Sequence, residues 1–458
     1  ILKLNYSTDK IHFSTAYLHR FAFNNFLYKD VSSPNEQYLN RENASINQHF
    51  FMQEMALLLT KRSQLDFKFN YLNSWRQIPS IIGAVNNGEY QNDEQIKALI
   101  GFKNVGDKLT HDFKVGFVNE IMKYNDTALN IFSNFSINSY HTNYRVTSNI
   151  KRINGKIQAY LMMRTDLASS DYYAEISNQN SSSAFVKWEQ KIKKIEYHLA
   201  LRQELLDFNF LAPNPSIGLK KTFFKNEKWN SEINATKTSR IPTLNDRYWT
   251  PGGNPELMPE NGFEVENNNR IYLLSNLLIS ASVFYGQTSN WIIWLPVSNG
   301  LWSPKNVKEV ERYGIESKAE LYFSVKSVQI GLDIQYNYLK ATTINSYSPN
   351  DASLNKQLIY VPNHQTQFNI DLAFKKLRIF YSQSCVGSVY IDSENNSYLP
   401  YYLPADLGVD WTSKFNAGKQ IVVGLKIINL FNEDYHIVAN RPMPGMHFLL
   451  NLKINLKK

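Results

Sequence analysis

The chain has 458 residues and a formal net charge of +9, from 49 Lys and Arg against 40 Asp and Glu. Its content of 43% hydrophobic and 14% aromatic residues excludes a disordered chain, a collagen and a coiled coil. No stretch of the sequence approaches the about 18 consecutive apolar residues that a membrane-spanning helix requires. The single Cys excludes a disulfide framework and a cysteine-ligated metal site.

The positive charge is scattered along the chain, and many Lys and Arg residues alternate with apolar residues. A nucleic-acid site would instead gather its cations in one patch. The charge therefore favours a solvated face or lumen with some attraction for anionic lipid headgroups, and we expect no nucleic-acid partner.

A two-residue hydrophobic period predicts β-strands along the whole chain. We expect the first strands at 2–7 and 11–23, and clear alternation follows at 65–71, 195–201, 328–338, 421–427 and 448–456. Several of these strands run for about ten residues or more, which is the length that crosses a hydrocarbon layer at a tilt of about 45°. No long segment fits the helical period better.

Two kinds of connection alternate between the predicted strands. Short turns are expected at 60–63, 154–155 and 416–418, and long polar segments at 83–93, 294–311 and 344–358. Short turns on one rim and long loops on the other are typical of a transmembrane β-barrel. A propeller would instead repeat every 40–50 residues or so, and the sequence has no such repeat.

The sequence thus predicts an all-β fold, a large antiparallel transmembrane barrel over residues 1–458, with about 21 strands in this chain. The apolar faces should meet lipid and the polar faces should line a lumen. Because single-chain bacterial barrels have an even number of strands, we expect about 22 in the intact protein, with the first outside this chain. A barrel of that width carries a plug, and no plug-like domain is visible in the sequence.

Two motifs are more specific than the periodicity. Residues 240–260 read RIPTLNDRYWTPGGNPELMPE, and within them stand Arg240, Pro242, Asn254, Pro255, Pro259 and Glu260. The second motif joins NLFNEDY at 429–435 to RPMPGMHF at 441–448, with Asn429, Phe431, Tyr435, Pro444 and Gly445. Together they resemble the TonB-dependent outer-membrane receptors of Gram-negative bacteria. The first motif is most similar to cobalamin receptors of the Bacteroidetes type.

The chain departs from that family pattern in three ways. Met446 stands where the family carries a basic residue, and the aromatic residue expected at the end of the last strand is absent. The plug and its TonB box are also missing, so this chain alone does not carry energy-coupled transport.

The resemblance implies an outer-membrane transporter whose external loops capture a scarce, large nutrient, with cobalamin ahead of a ferric siderophore. The TonB–ExbB–ExbD complex would then drive import through the plug with the proton-motive force. A surface lipoprotein is a further partner by analogy only. Two other classes stay open, a passive binding or porin-type barrel and a soluble all-β carbohydrate-binding protein. No enzyme signature is present, and we expect no catalytic residue.

The candidate ligand-binding residues are aromatic and basic side chains near the expected external loops: Arg247, Tyr248, Trp249, Trp291, Trp294 and Trp302. Aromatic faces bind a large planar ligand with little loss of entropy. Alternatively, Trp291 and Trp294 belong to an interfacial aromatic belt, and Asn254 and Glu260 only shape a turn. We expect no cofactor and no dedicated metal site. Calcium in the external loops is the one metal considered, with Asp392 and Glu394 as the nearest acidic pair.

Overall fold

The computed structural model describes residues 1–30, 37–85, 88–128, 130–224, 228–296, 302–346, 350–415 and 418–456. These ranges contain one short α-helix, one 3-10 turn at Lys151–Ile153 and 28 strands. The helix is α1 (Leu244–Tyr248). The strands are β1 (Leu2–Ser7), β2 (Ile11–Ala22), β3 (Leu27–Lys29), β4 (Tyr38–Asn40), β5 (Ile46–Thr60), β6 (Ser63–Gln77), β7 (Tyr90–Val105), β8 (Leu109–Asp126), β9 (Ile131–Ile150), β10 (Gly155–Ser170), β11 (Ser177–Ile192), β12 (Ile195–Leu206), β13 (Asn209–Phe210), β14 (Asn214–Phe223), β15 (Trp229–Arg240), β16 (Glu260–Leu274), β17 (Leu277–Pro296), β18 (Trp302–Val325), β19 (Val328–Ser346), β20 (His364–Phe374), β21 (Leu377–Val386), β22 (Val389–Tyr390), β23 (Tyr398–Leu399), β24 (Ala405–Lys414), β25 (Gln420–Ile428), β26 (His436–Val438), β27 (Arg441–Pro442) and β28 (His447–Asn455).

One continuous antiparallel sheet contains nearly all of the regular structure. Each of its 21 main strands pairs with the next one along the chain, in the order β1, β2, β5 to β12, β14 to β21, β24, β25 and β28. The two-residue strand β13 attaches to the end of β12, and three small hairpins lie in the long connections. The predicted all-β fold and the predicted number of strands are confirmed. Within the described ranges no helix is long and apolar enough to cross a membrane.

The two rims of the sheet differ in their connections, as the sequence predicts. Ten short turns lie on one rim, and the connections that contain β3–β4, α1, β22–β23 and β26–β27 lie on the other. One predicted loop is wrong, because β17 continues to Pro296 and β18 begins at Trp302, so most of 294–311 is strand. The predicted turn at 416–418 falls partly on 416 and 417, which lie outside the described residues.

The two faces of the sheet differ in chemistry. On one face, Lys318 contacts Glu320 at 2.9 Å and Asp333 at 3.0 Å, and the Asn369 amide donates to Asp333 at 3.1 Å. The opposite face exposes large apolar side chains, and Ile217 for example exposes 55% of its surface. A soluble sandwich would cover both faces of its sheets. The exposed apolar face is the arrangement expected for a barrel in lipid.

The sheet has two free edges in the described part of the chain. There β1 pairs with β2 alone and β28 with β25 alone, and every residue of β1 is exposed. Since an even number of antiparallel steps separates them, β1 and β28 run in the same direction. An antiparallel ladder between these edges therefore needs a further strand of opposite direction. The 22nd strand and the plug stay predictions.

Part of the positive charge gathers in space, although the cations are scattered along the sequence. Two consecutive short turns are far apart along the chain, but the up-and-down topology brings them to one rim. Among the described residues, the short turns contain Asp9, Asp107 and thirteen cations, which we call the basic rim: Lys10, Lys61, Arg62, Lys108, Lys151, Arg152, Lys193, Lys194, Lys228, Lys326, Lys375, Lys376 and Lys419. The described long connections have the opposite balance, with thirteen carboxylates and five Lys or Arg residues.

Candidate functional site

The first sequence motif forms a folded loop at the long-connection rim, between β15 and β16, and we call residues 241–259 the motif loop. Its helix α1 begins after Thr243, whose hydroxyl accepts from the Asp246 backbone nitrogen at 3.1 Å. The Asp246 carboxylate accepts in return from the Thr243 backbone nitrogen at 2.9 Å. This capping box satisfies two backbone donors at the helix start and so fixes the direction of the loop.

Asp246 is the centre of the motif loop. Its side chain is buried, with 6% of the residue exposed, and its Oδ1 accepts from Nε1 of Trp294 at 3.0 Å. The Arg240 guanidinium lies 3.8 Å from Oδ2, and the Asp246 carbonyl accepts from the Asn254 backbone nitrogen at 2.8 Å. One carboxylate thus joins the helix, the base of the loop and the neighbouring strand β17.

An ion pair closes the base of the motif loop, where β15 and β16 separate. Nη1 of Arg240 lies 2.6 Å from Oε1 of Glu260, and the same oxygen accepts from the Ile292 backbone nitrogen at 2.9 Å. Glu260 is 5% exposed. A buried carboxylate requires such donors, because its desolvation would otherwise be costly. These contacts are those of a structural anchor.

The glycine-rich tip of the motif loop lies against β18. Gly252 has a φ of +128°, and a Cβ built there would lie 2.2 Å from the Trp302 carbonyl oxygen, so only glycine fits. The Asn254 amide donates to the Pro304 carbonyl at 3.3 Å, and its own oxygen accepts from the Glu256 nitrogen at 3.0 Å. The structure therefore brings the tip of the loop to the first residues of β18.

Aromatic residues hold the motif loop down on the connection between β10 and β11. The Trp249 ring stacks on Tyr172 with centroids 4.4 Å apart, and Tyr248 meets Tyr173 edge-on at 6.5 Å. Tyr173 belongs to a buried cluster with Ile137 and Ala168. Burial, together with the nearby carboxylate of Asp246, raises the pKa of Tyr173 to about 12.

Arg247 is engaged by the protein itself. Its guanidinium lies 3.0 Å from the Asp207 carboxylate and 3.4 Å from the Gln179 amide oxygen, and it covers the Tyr248 ring at 5.0 Å. Only 15% of its side chain is exposed. A ligand would have to compete with these partners for the guanidinium.

The six candidate ligand residues therefore have different settings. Tyr248, Trp249, Arg247 and Trp294 have the partners described above, and Trp291 lies half-buried on β17. Trp302 is different, since 56% of it is exposed at the start of β18. Contact with a ligand stays a prediction for all six, and Trp302 is the most accessible of them.

The second motif forms a tight loop between β25 and β28. Asn429 is 2% exposed and has a φ of +52°. Its amide donates to the carbonyls of Glu433 at 2.8 Å and Pro444 at 3.2 Å, and its oxygen accepts from the Glu433 nitrogen at 2.9 Å. Tyr435 stacks on Tyr402 with centroids 4.8 Å apart. Phe431, by contrast, is 66% exposed.

The carboxylates considered for calcium have other partners. Asp392 accepts from the backbone nitrogens of Glu394 and Asn396 at 3.0 and 3.1 Å. These backbone hydrogen bonds lower the pKa of Asp392. Across the described ranges, no group of three or more His, Cys, Asp or Glu side chains is placed to hold a metal ion. Calcium stays a prediction.

Sequence reasoning missed several residues that organise this rim. Thr243 and Asp246 could have been found, because Ser or Thr followed three residues later by an acid is the signature of a capping box. The contact of Tyr173 with Asn245, at 2.5 Å, joins residues 72 positions apart and has no local signal. The exposed loop aromatics Phe208, Tyr398 and Tyr401 were also missed.

Comparison with known proteins decides the family. The family model described as TonB dependent receptor-like, beta-barrel, matches residues 3–430. The chain belongs to this TonB-dependent receptor family. Members of the family are receptors and transporters of the outer membrane of Gram-negative bacteria.

The receptor barrel is also similar to individual members. It is 25% identical over 349 residues to the vitamin B12 transporter BtuB of Photobacterium profundum. The matched residues cover 74% of this chain and 53% of the relative. The chain thus spans about half the length of this curated relative.

Two solved structures share the fold. The FrpB iron transporter from Neisseria meningitidis (F3-3 variant) superposes with a TM-score of 0.80 at 11% identity, over 99% of this chain and 78% of that one. The siderophore receptor PirA from Pseudomonas aeruginosa superposes with a TM-score of 0.73 at 11% identity, over 99% and 76%. At such identities the similarity concerns the fold alone.

Proposed function

We propose that this chain is the barrel of an energy-coupled transporter in the outer membrane, and that its substrate is cobalamin. The observation that carries the choice of substrate is the similarity to a vitamin B12 transporter across 349 residues. The iron and siderophore proteins share only the fold. The long-connection rim would be the external face, since transmembrane barrels carry their long loops outside.

The chemistry of that rim favours a large ligand that is not strongly anionic. Trp302, Phe208 and Tyr401 expose 56%, 84% and 66% of their surfaces there. Aromatic faces suit the broad corrin ring of cobalamin, which is nearly neutral and edged with amides. The excess of carboxylates over cations in the described loops repels a strongly anionic ferric chelate.

The rest of the transport cycle depends on the longer protein. We propose that one further strand, outside this chain, pairs with the free edges of β1 and β28 and closes the barrel. A plug would fill the lumen and connect to the TonB–ExbB–ExbD complex, which supplies the energy of import. A surface lipoprotein above the loops and calcium within them stay predictions.

Two alternatives remain within the same architecture. A ferric-siderophore receptor would use the same barrel and plug with a different loop face. A passive binding or porin-type barrel would need neither energy nor TonB. The first differs from our proposal in ligand competition, and the second differs in the energy dependence of uptake.

A binding experiment tests the substrate. Detergent-solubilised full-length protein is titrated with labelled cobalamin, and unlabelled cobalamin or a ferric siderophore is added as competitor. Unlabelled cobalamin alone should displace the label. Displacement by the ferric siderophore, or absence of cobalamin binding, would contradict the proposal.

A matched pair of variants locates the site. Trp302→Ala should weaken cobalamin binding about tenfold, which is the effect of losing one aromatic contact of about 1.4 kcal/mol. Trp411→Ala is the control, because Trp411 is 45% exposed but lies on β24 near the short-turn rim. Equal affinities for both variants would remove Trp302 from the site.

A further inference from the structure

The basic rim encircles the sheet instead of forming a patch. Nine of its ten short turns carry at least one Lys or Arg, and only the turn at 275–276 has none. Each of these cations is exposed. A protein partner would contact one sector of the rim and would select charge there. An excess of positive charge that recurs at nine of the ten turns fits a partner that itself surrounds the barrel.

Aromatic rings lie beside two of the basic turns. Nζ of Lys375 lies 5.0 Å from the Phe374 ring, and the rings of Phe223 and Trp229, which flank the turn that contains Lys228, stack at 4.3 Å. Aromatic rings concentrate at the level of lipid headgroups in membrane proteins. The basic rim therefore lies at the depth where a bilayer presents its phosphates.

The internal partners of the basic rim leave most of its charge available. Arg62 pairs with Asp107 at 2.7 Å, but the two side chains are 60% and 79% exposed, so the pair is weak. Nζ of Lys194 donates to the Phe224 carbonyl at 2.8 Å, which leaves its charge uncompensated. In the part of the chain that the structure describes, this rim contains thirteen cations and two carboxylates.

We propose that the basic rim is a binding surface for anionic phospholipid headgroups of the leaflet that surrounds the short-turn end of the barrel. Lys and Arg near such a surface attract it within a Debye length. The opposite rim carries an excess of carboxylates and repels the same headgroups, so the two rims together favour one orientation in the bilayer. The inference rests on the proposed function only in requiring that the barrel lies in a membrane.

The test compares lipid retention by full-length protein in mild detergent, measured by native mass spectrometry. Phosphatidylglycerol is the anionic probe and phosphatidylethanolamine the zwitterionic control. One variant changes Lys151, Arg152 and Lys193 to Gln, and a second variant changes Lys326, Lys375 and Lys376 to Gln. Both remove three charges, but from different sectors of the rim.

Each variant should retain less phosphatidylglycerol than the unchanged protein, by roughly a quarter because three of the thirteen cations are removed, and the two losses should be similar. Retention of phosphatidylethanolamine should not change. Replacement of the lysines at the same positions by Arg should preserve phosphatidylglycerol retention. Added salt should weaken the preference of the unchanged protein.

Equal retention of both lipids by the unchanged protein would overturn the proposal. A loss confined to one of the two sectors would overturn it as well, because it would indicate a local partner. Flotation of each protein with uncharged vesicles is measured in parallel. A protein that floats without selecting anionic lipid contradicts this inference alone, whereas a protein that does not float contradicts the proposed membrane barrel.

Discussion

The indole Nε1 of Trp294 donates a hydrogen bond to Oδ1 of Asp246 at 3.0 Å, across 48 positions of the chain. This bond ties the motif loop to strand β17. Asp246 also caps helix α1 through Thr243, so the conformation of the whole loop depends on one buried carboxylate.

Asp246→Ala should open the motif loop, because it removes the capping box and leaves the Trp294 donor without its partner. We expect the free energy of local opening to fall by about 1–3 kcal/mol. Hydrogen exchange of the 241–259 amides measures this change. Glu256→Ala is the control, since Glu256 is an exposed carboxylate in the same loop. Equal protection in the two variants would refute the role of Asp246.

The Arg240–Glu260 pair should couple more strongly than an exposed pair. Glu260 is buried and also accepts from the Ile292 nitrogen, whereas Arg62 and Asp107 are both well exposed. A double-mutant cycle on loop protection should give about 1–3 kcal/mol for Arg240 and Glu260. The matching cycle for Arg62 and Asp107 should give about 0–1 kcal/mol. Coupling of equal size in the two cycles would contradict this difference.

The architecture was predictable from sequence because a two-residue hydrophobic period indicates an extended strand with one apolar face and one polar face. Alternation in 195–201 predicts a strand, and β12 covers that segment with Leu199 and Leu201 exposed on one face. Turn residues between such segments then set the number of strands. The reach of β17 and β18 was missed, because Pro296 and Pro304 signal a loop in a sequence, while here both are strand residues.

The arrangement of the site was less predictable. The contacts of Arg247 with Asp207 and of Trp294 with Asp246 depend on which connections fold over which, and no local pattern encodes that. The two-sided charge distribution was also hidden. Its cations are separated by whole hairpins in the sequence and gather only when the topology is known.

Asn429→Ala should destabilise the barrel end by about 2–4 kcal/mol. The change removes three hydrogen bonds of a buried amide and places Ala in the left-handed region. Asn440→Ala is the control, because Asn440 has a similar φ of +59° but is exposed. Unfolding in urea, followed by heat-modifiable mobility on gels, measures both variants. A loss of stability no larger for Asn429→Ala than for the control would contradict a stabilising role of the Asn429 side chain.

The connection after β19 should loosen in acid. Burial opposes ionisation of Asp351, but hydrogen bonds from Ser346 and Ser353 and the Lys308 ammonium at 3.2 Å hold its pKa below the ordinary value. Because the folded pKa is the lower one, this stabilisation is present above the pKa of the unfolded state, near 3.8, and is lost as pH falls below it.

Proteolysis of the connection at a series of pH values, with an acid-active protease, checks this expectation. The unchanged protein should become more susceptible to cleavage as pH falls below 3.8, the pKa of Asp351 in the unfolded state. Asp351→Asn should be more susceptible at neutral pH and should show a flatter profile. The same pH dependence in both proteins would assign the effect to other groups.

Energy-dependent uptake of labelled cobalamin is the measurement that tests the proposed function most directly. Cells that lack their own cobalamin receptor receive the full-length gene, in backgrounds with and without TonB. Our account predicts accumulation that requires TonB, that collapses with an uncoupler of the proton gradient, and that excess ferric siderophore does not reduce. Accumulation that persists without TonB, or that is abolished by the ferric siderophore, would contradict it.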